Sequence, residues 1–398
     1  MSDNFCVMPF VHAFVTPKKI SPCCAYVGNL AFNSKQQYWT SEQLRRIQQN
    51  FIDNKQDKGC WDCWDKENRG FSSLRQHSNQ IYSKHIDEIK QGKRLENPVY
   101  LDLRLGNLCN LKCRMCVSEW SSQIADEILT NPDEDWGTDN PQEKIIELDD
   151  GTWETLDNWI PHVRRVFMTG GEPTIIKRNL DYIRKIIETG YSKNIELIFT
   201  TNATNVNREF LDIVKDFDKV HFSVSIDGTG ELANYIRFPS NWDKVKENLL
   251  TIGQNEVGIA LNTTVQWLNM TRLNEMFDFI DEFSESKPKQ FAGVWLQLVQ
   301  HPKYLDPIFA PRFMKEKAIK DINDFIERST MLREEKYHNI LYGEFAKSLN
   351  QTKRFLEDNI ENTEHTEVFI KRMETLDRIR GQRLFDVLPE LKQIGGQA

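Results

Sequence analysis

The chain has 398 residues, of which 39% are hydrophobic and 28% are charged, as in ordinary globular proteins. It carries 51 Lys and Arg against 59 Asp and Glu, and the net charge of −8 argues against non-specific nucleic-acid binding. The sequence contains no apolar run of about 18 residues and does not begin with a secretory signal pattern. We therefore expect no membrane span and a cytoplasmic location.

From about residue 98, short apolar runs alternate with amphipathic segments, which predicts a series of βα units. The predicted strands are Val99–Leu105, Val163–Met168, Ile195–Thr201, Val220–Ile226, Gly258–Val265 and Val294–Val299. The predicted helices between them include Asn179–Thr189, Arg208–Phe217, Trp242–Ile252 and Arg272–Phe283. Such a series forms a parallel sheet covered by helices. Polar residues follow each strand, where parallel α/β folds place their active sites.

Two further regions lie outside this series. Residues 131–150 contain eight acidic residues and one lysine, and a solvated loop is the favoured interpretation. The alternative is a lid or docking loop for a basic substrate. Helices are predicted over Glu316–Glu327, Gly343–Leu356 and Glu367–Arg380, and their apolar stripes are expected to pack as core.

All eight cysteines lie within the first 116 residues. They are Cys6, Cys23, Cys24, Cys60, Cys63, Cys109, Cys113 and Cys116. In a long chain without a secretory signal, C-x2-C and C-x3-C-x2-C spacings indicate metal binding rather than disulfides. The chain therefore divides into a metal-binding front and a back without cysteine.

The C-x3-C-x2-C motif, Cys109 to Cys116, follows the first predicted strand and supplies three thiolates. A [4Fe–4S] cluster is normally held by four cysteines, so one iron would keep an open position for a substrate or cofactor. The run Gly170 to Pro173 (GGEP) follows the second strand. Through these two motifs, residues 96–305 resemble the radical S-adenosylmethionine (radical SAM) superfamily.

The resemblance implies that Cys109, Cys113 and Cys116 hold three irons, while the amino and carboxylate groups of S-adenosylmethionine chelate the fourth. It also implies reductive cleavage of S-adenosylmethionine and abstraction of hydrogen from a substrate by the 5′-deoxyadenosyl radical. Met115 stands where relatives commonly have an aromatic residue beside the adenine. The implied cofactor-binding residues are Met115, Gly170, Gly171, Glu172, Asn202, Ser225, Asp227 and Arg237.

The front resembles an auxiliary-cluster extension called SPASM, or its shorter form, twitch, although in most relatives the extension follows the barrel. The likeness lies in a cysteine, a hairpin ending in Pro-Cys, a helix over Ser41–Phe51 and the C-x2-C pair. It implies a second [4Fe–4S] cluster held by Cys6, Cys23, Cys60 and Cys63. Cys23 is preferred to Cys24 because it follows Pro22, as the ligand does in the extension. A structural zinc site with four thiolates is the alternative.

The predicted fold class is α/β, a partial (β/α)6 TIM-like barrel with an N-terminal iron–sulfur module and a helical C-terminal extension. The predicted domains are residues 1–95 (auxiliary cluster), 96–305 (barrel) and 306–398 (helical cap). We expect a radical SAM enzyme that modifies a peptide or protein and receives electrons from a donor such as flavodoxin or ferredoxin. The alternatives are a radical SAM enzyme acting on a nucleotide or RNA, and a non-enzymatic zinc-binding scaffold. No catalytic acid or base is nominated.

Overall fold

The computed structural model describes residues 4–28, 37–68, 72–255, 257–286, 289–333, 340–357 and 363–395. The strands are β1 (His12–Val15), β2 (Ile20–Ser21), β3 (Tyr100–Leu103), β4 (Arg165–Met168), β5 (Glu196–Thr201), β6 (Lys219–Ser225), β7 (Gly258–Val265) and β8 (Phe291–Leu298). The first helices are α1 (Met8–Val11), α2 (Glu42–Ile52), α3 (Trp61–Asn68), α4 (Leu74–Ile81), α5 (Ser83–Lys90), α6 (Ser122–Thr130), α7 (Asp150–Trp159) and α8 (Lys177–Glu188). The remaining helices are α9 (Arg208–Val214), α10 (Gly230–Ile236), α11 (Trp242–Ile252), α12 (Leu273–Ser286), α13 (Arg312–Arg328), α14 (Thr330–Arg333), α15 (Ile340–Leu356), α16 (Thr363–Arg380) and α17 (Leu384–Val387).

The strands form one sheet in the order β2-β1-β3-β4-β5-β6-β7-β8. Strand β1 is antiparallel to β2 and parallel to β3, and the pairs β3–β4, β4–β5, β6–β7 and β7–β8 are all parallel. The predicted α/β class with a helical C-terminal extension is therefore confirmed. The sheet also contains β1 and β2, which sequence analysis had assigned to a separate front module. All four residues of β1 are buried, so this strand has no alternation of apolar and polar residues to reveal it.

Local sequence explains where individual helices begin. Helix α2 starts after Ser41, whose Oγ accepts a hydrogen bond from the backbone N–H of Leu44 at 3.3 Å. Its buried residues include Leu44, Ile47 and Phe51, whose spacing places them on one face of the helix. The predicted helix over Ser41–Phe51 is therefore confirmed, with a boundary shift of one residue.

Contacts between residues divide the chain into two compact units. The first comprises Met1–Leu108, Ile145–Phe199 and Asp212–Val220. Its sheet core is a row of fully buried, register-paired residues from β1, β3, β4 and β5: Ala13, Leu101, Val166 and Leu197. The predicted division into residues 1–95, 96–305 and 306–398 stays a prediction.

The second unit comprises Cys109–Lys144, Thr200–Leu211 and His221–Ala398. Its sheet core is the register-paired and buried row Val224, Leu261 and Val294. The C-terminal helix α16 packs through Phe369, whose ring centroid lies 5.0 Å from that of the buried Trp267. The apolar stripe of α16 is thus core packing, as predicted.

No helix in the described ranges is long and apolar enough to cross a membrane.

Candidate cluster and cofactor sites

The three-cysteine loop follows β3 and is fixed by backbone hydrogen bonds. The N–H of Cys109 donates to Ser122 Oγ at 3.2 Å, and Ser122 opens helix α6. The N–H of Cys116 donates to the carbonyl oxygen of Cys113 at 3.0 Å, which closes a tight turn between these two cysteines. Cys109 is buried and the other two are partly exposed, as is Met115. The loop therefore holds its three thiols on a defined backbone rather than on a free segment.

The middle of the loop runs alongside the end of helix α10. The N–H groups of Lys112 and Arg114 donate to the carbonyl oxygens of Phe238 and Ile236, at 2.6 and 2.9 Å. These two hydrogen bonds flank Cys113 on one segment and Arg237 on the other, and they bring the two residues together. Arg237 Nη1 lies 3.9 Å from Cys113 Sγ. A guanidinium therefore lies beside one of the three thiols.

Arg237 is paired with a second residue that the resemblance implies in cofactor binding. Its Nη2 lies 2.6 Å from Asp227 Oδ2, with side-chain exposures of 15% and 0%. Burial raises the pKa of Asp227, and the charge of Arg237 opposes this rise. Burial also raises the pKa of Cys113 and of Cys116, and Arg237 again acts in the opposite direction. Burial thus favours the neutral thiol at Cys113 and Cys116, and a metal cluster would displace these protons on binding.

Four of the implied cofactor residues line a single cavity, whose space, including its opening to solvent, is about 260 Å³. They are Asn202, Ser225, Asp227 and Arg237. Trp242 contributes an aromatic face to the same cavity. Polar groups together with an aromatic surface suit a nucleoside, which has hydroxyl groups and a flat base. The side chains present therefore fit part of S-adenosylmethionine.

Asn202 is also tied to the cluster loop. Its Nδ2 donates to Asn110 Oδ1 at 2.9 Å, and Asn110 follows Cys109 in the chain. Its Oδ1 accepts a hydrogen bond from the N–H of Thr204 at 2.9 Å. The carboxyl end of β5 and the cluster loop are thereby joined within the second unit.

The GGEP motif lies in the first unit, and its glycines have local steric reasons. Gly170 and Gly171 have backbone φ values of 78° and 59°, which residues other than glycine rarely adopt. A Cβ on Gly171 would stand 2.3 Å from the carbonyl oxygen of Leu108. The N–H of Glu172 donates to the same oxygen at 2.8 Å. These glycines therefore let the motif pack against the segment that leads into Cys109, a constraint that sequence analysis did not identify.

The buried side chain of Glu172 bonds locally, because its Oε1 accepts hydrogen bonds from the N–H and Oγ1 of Thr174, at 3.3 and 2.7 Å. Its contact with the ammonium group of the cofactor stays a prediction.

The front cysteines converge on one cavity within the first unit. Its space, including the mouth, is about 310 Å³, and its lining includes Cys6, Cys23, Cys60 and Cys63. Cys24 is exposed and is not part of this lining.

Three short elements deliver these side chains. Cys6 precedes α1, Cys23 follows β2, and Cys60 and Cys63 flank the start of α3, three residues apart. Residues at that spacing lie on one face of a helix.

Burial is the largest influence on these thiols. It raises the pKa of Cys6 to about 12 and raises the pKa values of Cys23, Cys60 and Cys63 as well. Within the described residues, no three His, Cys, Asp or Glu side chains are arranged to hold a single metal ion. A cluster of several metal ions needs its thiolates farther apart than one ion does.

Arg75, which sequence analysis missed, lines the same cavity. Its Nε and Nη2 bind the two carboxylate oxygens of Glu67 at 2.9 and 2.6 Å, and its Nη1 donates to the carbonyl oxygen of Phe5 at 2.7 Å. A fixed positive charge therefore lies beside the four thiols. Its sequence signal is weak, because an arginine 12 residues after Cys63 resembles any surface arginine.

Comparison with known proteins agrees with the cysteine pattern. Residues 103–280 match the radical SAM superfamily. The chain carries a radical SAM domain. Members of this superfamily are enzymes that use S-adenosylmethionine and a [4Fe–4S] cluster, and the C-x3-C-x2-C loop lies inside the matched range. No curated protein matches the sequence.

Several solved structures resemble the chain distantly. Native anSMEcpe with bound AdoMet is 18% identical, with a TM-score of 0.41, over 57% of this chain and 60% of that one. Streptococcus suis SuiB bound to the precursor peptide SuiA is 13% identical, with a TM-score of 0.40, over 70% of this chain and 62% of that one. This chain thus spans about three fifths of the length of each of these two solved proteins. These TM-scores are too low to transfer any property to this chain.

Proposed function

We propose that this chain is a radical SAM enzyme that abstracts hydrogen from a peptide or protein, and that it holds two [4Fe–4S] clusters. The observation that carries the core of the proposal is the family match around a fixed three-cysteine loop. When bound, the first cluster supplies the electron that cleaves S-adenosylmethionine into methionine and a 5′-deoxyadenosyl radical. The chain's own residues bind and orient the reactants.

In this proposal each side chain of the second unit has a task. Cys109, Cys113 and Cys116 hold three irons and leave the fourth for the amino and carboxylate groups of S-adenosylmethionine. Arg237 places positive charge beside Cys113 and toward the methionyl carboxylate. Asp227 holds that guanidinium in place. Asn202 and Ser225 line the cavity for the nucleoside.

The proposed auxiliary cluster is bound by Cys6, Cys23, Cys60 and Cys63. The cavity lined by these cysteines supports a shared ligand set, and the company of the proposed first [4Fe–4S] cluster favours iron over a structural zinc ion. Four cysteines leave no open iron, so the proposed role is electron transfer or shaping of the substrate site. The peptide or protein substrate rests on the SPASM and twitch resemblance alone.

Anaerobic reconstitution tests the core of the proposal. With dithionite and S-adenosylmethionine, the protein should release 5′-deoxyadenosine, detected by chromatography. Cys113→Ser should abolish this release, whereas the matched Cys24→Ser variant should retain it, because Cys24 lies outside both proposed ligand sets. Equal release from the two variants would overturn the assignment of the cluster loop.

Isotope transfer tests the substrate class. The protein is incubated with a deuterated peptide digest or, separately, with deuterated RNA fragments, and deuterium in 5′-deoxyadenosine is measured by mass spectrometry. Transfer from the peptide digest is the expected result. Transfer from RNA and not from peptides would refute the peptide assignment in favour of a nucleic-acid substrate.

A further inference from the structure

Both neighbours of Cys113 are charged, and each is paired with a carboxylate. The side chain of Arg114 is 0% exposed and its Nη2 lies 2.5 Å from Asp377 Oδ1 on helix α16. Lys112 Nζ lies 3.3 Å from Glu127 Oε1, and the side chain of Glu127 is 1% exposed. The superfamily match ends at residue 280, so it assigns no role to helix α16.

Five contacts hold Arg114, and most of them come from the C-terminal region. Besides Asp377, Nη2 donates to Gln382 Oε1 at 3.0 Å, and Nη1 lies 3.3 Å from Met373 Sδ. Nε donates to the carbonyl oxygen of Tyr235 at 3.0 Å, and the guanidinium lies 3.6 Å from the centre of the Tyr235 ring. Arg114 thus has a single well-defined position.

The carboxylate of Asp377 is equally occupied. Its Oδ1 also accepts a hydrogen bond from the hydroxyl of Tyr235 at 2.8 Å, and its Oδ2 accepts one from the N–H of Leu384 at 2.5 Å. A buried charge is stable only when it is paired and hydrogen-bonded in this way. Removing either Arg114 or Asp377 leaves its partner as an isolated buried charge, which must move or be hydrated.

A second ion pair joins helix α16 to the other neighbour of Cys113. Arg380 binds both carboxylate oxygens of Glu127, at 3.0 and 2.6 Å, and both side chains are almost fully buried. Glu127 in turn pairs with Lys112. Helix α16 therefore reaches both sides of Cys113, once directly through Asp377 and once through Glu127.

The acidic segment, residues 131–150, also contacts helix α16. Glu134 pairs with Arg378 at 2.6 Å, and Arg372 lies over the ring of Trp136 at 5.3 Å. Asp139 accepts a hydrogen bond from the N–H of Ser118, two residues after Cys116, at 2.9 Å. The favoured prediction of a merely solvated loop did not include these contacts.

We propose that helix α16 holds the cluster loop in the geometry that binds S-adenosylmethionine, with Arg114 and Asp377 as positioning residues. The inference rests on the proposed function of this loop. Arg114 lies within the turn that joins Cys113 to Cys116, so its side chain fixes the orientation of two of the three thiolates. When that anchor is lost, the turn relaxes, and the open iron and the nucleoside cavity lose their alignment.

The test measures cofactor binding rather than turnover. Reconstituted protein is reduced and titrated with S-adenosylmethionine, and the change in the electron paramagnetic resonance (EPR) spectrum is followed. Only the cluster with an open iron responds to the cofactor. Asp377→Asn and Arg114→Met should raise the half-saturating cofactor concentration at least tenfold. Asp377→Glu keeps a carboxylate, and its half-saturating concentration should stay within threefold of the wild-type value.

Glu374→Gln is the matched control, because Glu374 lies on the same helix but its side chain is exposed and belongs to none of the contacts above. It should bind the cofactor as wild type does. If Asp377→Asn fails to fold, Gln382→Leu removes one neutral acceptor of Arg114 and should weaken cofactor binding about threefold, with a smaller fall in melting temperature than removal of either charge.

Two outcomes separate this inference from the proposed function. Absence of any spectral change in wild type on adding S-adenosylmethionine would refute the proposed function itself. A normal response in wild type, with unchanged half-saturation in Asp377→Asn, Arg114→Met or Gln382→Leu, would overturn the positioning role. A lower melting temperature with unchanged half-saturation would likewise show that the contacts are only structural.

Discussion

The ion pair beside the front cysteines gives a pH-dependent stability prediction. Arg75 and Glu67 have side-chain exposures of only 10% and 15%. Burial tends to raise the pKa of Glu67, but the hydrogen bonds from Arg75 and Ser73 outweigh it and hold the pKa below its ordinary value. A depressed carboxyl pKa stabilises the fold above the unfolded-state pKa, and this stabilisation is lost as the pH falls through the folded-state pKa. Arg75→Met removes the group that depresses this pKa.

The loss of unfolding free energy in Arg75→Met can be worked out from the two states that the Glu67 carboxyl can adopt without its partner. In Arg75→Met, the buried carboxyl stays charged without its partner or takes up a proton. From the ordinary value of 4.5, protonation costs about 3.4 kcal/mol at pH 7 and about 0.7 kcal/mol at pH 5, at 1.36 kcal/mol per pH unit. The lost hydrogen bond to the carbonyl oxygen of Phe5 adds about 1 kcal/mol at both pH values. The expected destabilisation is therefore about 4 kcal/mol at pH 7 and about 2 kcal/mol at pH 5.

Urea unfolding of reduced, metal-free protein at the two pH values measures this difference. The buried cysteine thiols stay protonated throughout this range because burial raises their pKa values. Lys66→Met is the control, since Lys66 and Asp62 form a more exposed pair, at 35% and 22%, worth about 0–1 kcal/mol. An equal loss of stability at pH 7 and pH 5 in Arg75→Met would refute the reasoning.

Three other substitutions test separate parts of the structure. Gly171→Ala should destabilise the protein more than Gly190→Ala, because both have positive φ but only at Gly171 would a Cβ meet the backbone, and urea unfolding compares them. Phe369→Ala should cost about 3–5 kcal/mol in the same assay, since the ring is fully buried against Trp267, and a cost below about 1 kcal/mol would show that α16 is not core. Cys23→Ser should lose about four irons per chain while Cys24→Ser keeps them, and the opposite result in an iron assay would exchange their assignments.

The periodicity of apolar residues in the sequence was sufficient to predict most of the strands and helices. The predicted strand Gly258–Val265 and helix Trp242–Ile252 match the structure residue for residue. Strand β1 was missed because its four residues are all buried and follow a helix of only four residues. Short buried strands have no alternation, so their position depends on pairing with distant residues such as those of β3.

The site residues differ in the same way: some are recognisable from local sequence motifs, and others depend on contacts between distant parts of the chain. The structure brings Cys6, Cys23, Cys60 and Cys63 to one cavity, and these are the four cysteines that the SPASM and twitch resemblance implies as ligands. The partner of Arg114, in contrast, lies 263 residues away on α16, and no local pattern points to it. Side chains that bind a cofactor are constrained by its chemistry and form motifs. Side chains that position them are constrained by packing and leave little trace in one sequence.

A variant without the cluster loop tests the two-cluster radical SAM account most directly. Cys109, Cys113 and Cys116 are replaced by Ala together, and iron content and 5′-deoxyadenosine release are measured after anaerobic reconstitution. The account predicts about four irons per chain, held by the front cysteines, and no release of 5′-deoxyadenosine. Loss of nearly all iron would contradict the second cluster, and continued release of 5′-deoxyadenosine would contradict the assignment of the reaction to this loop.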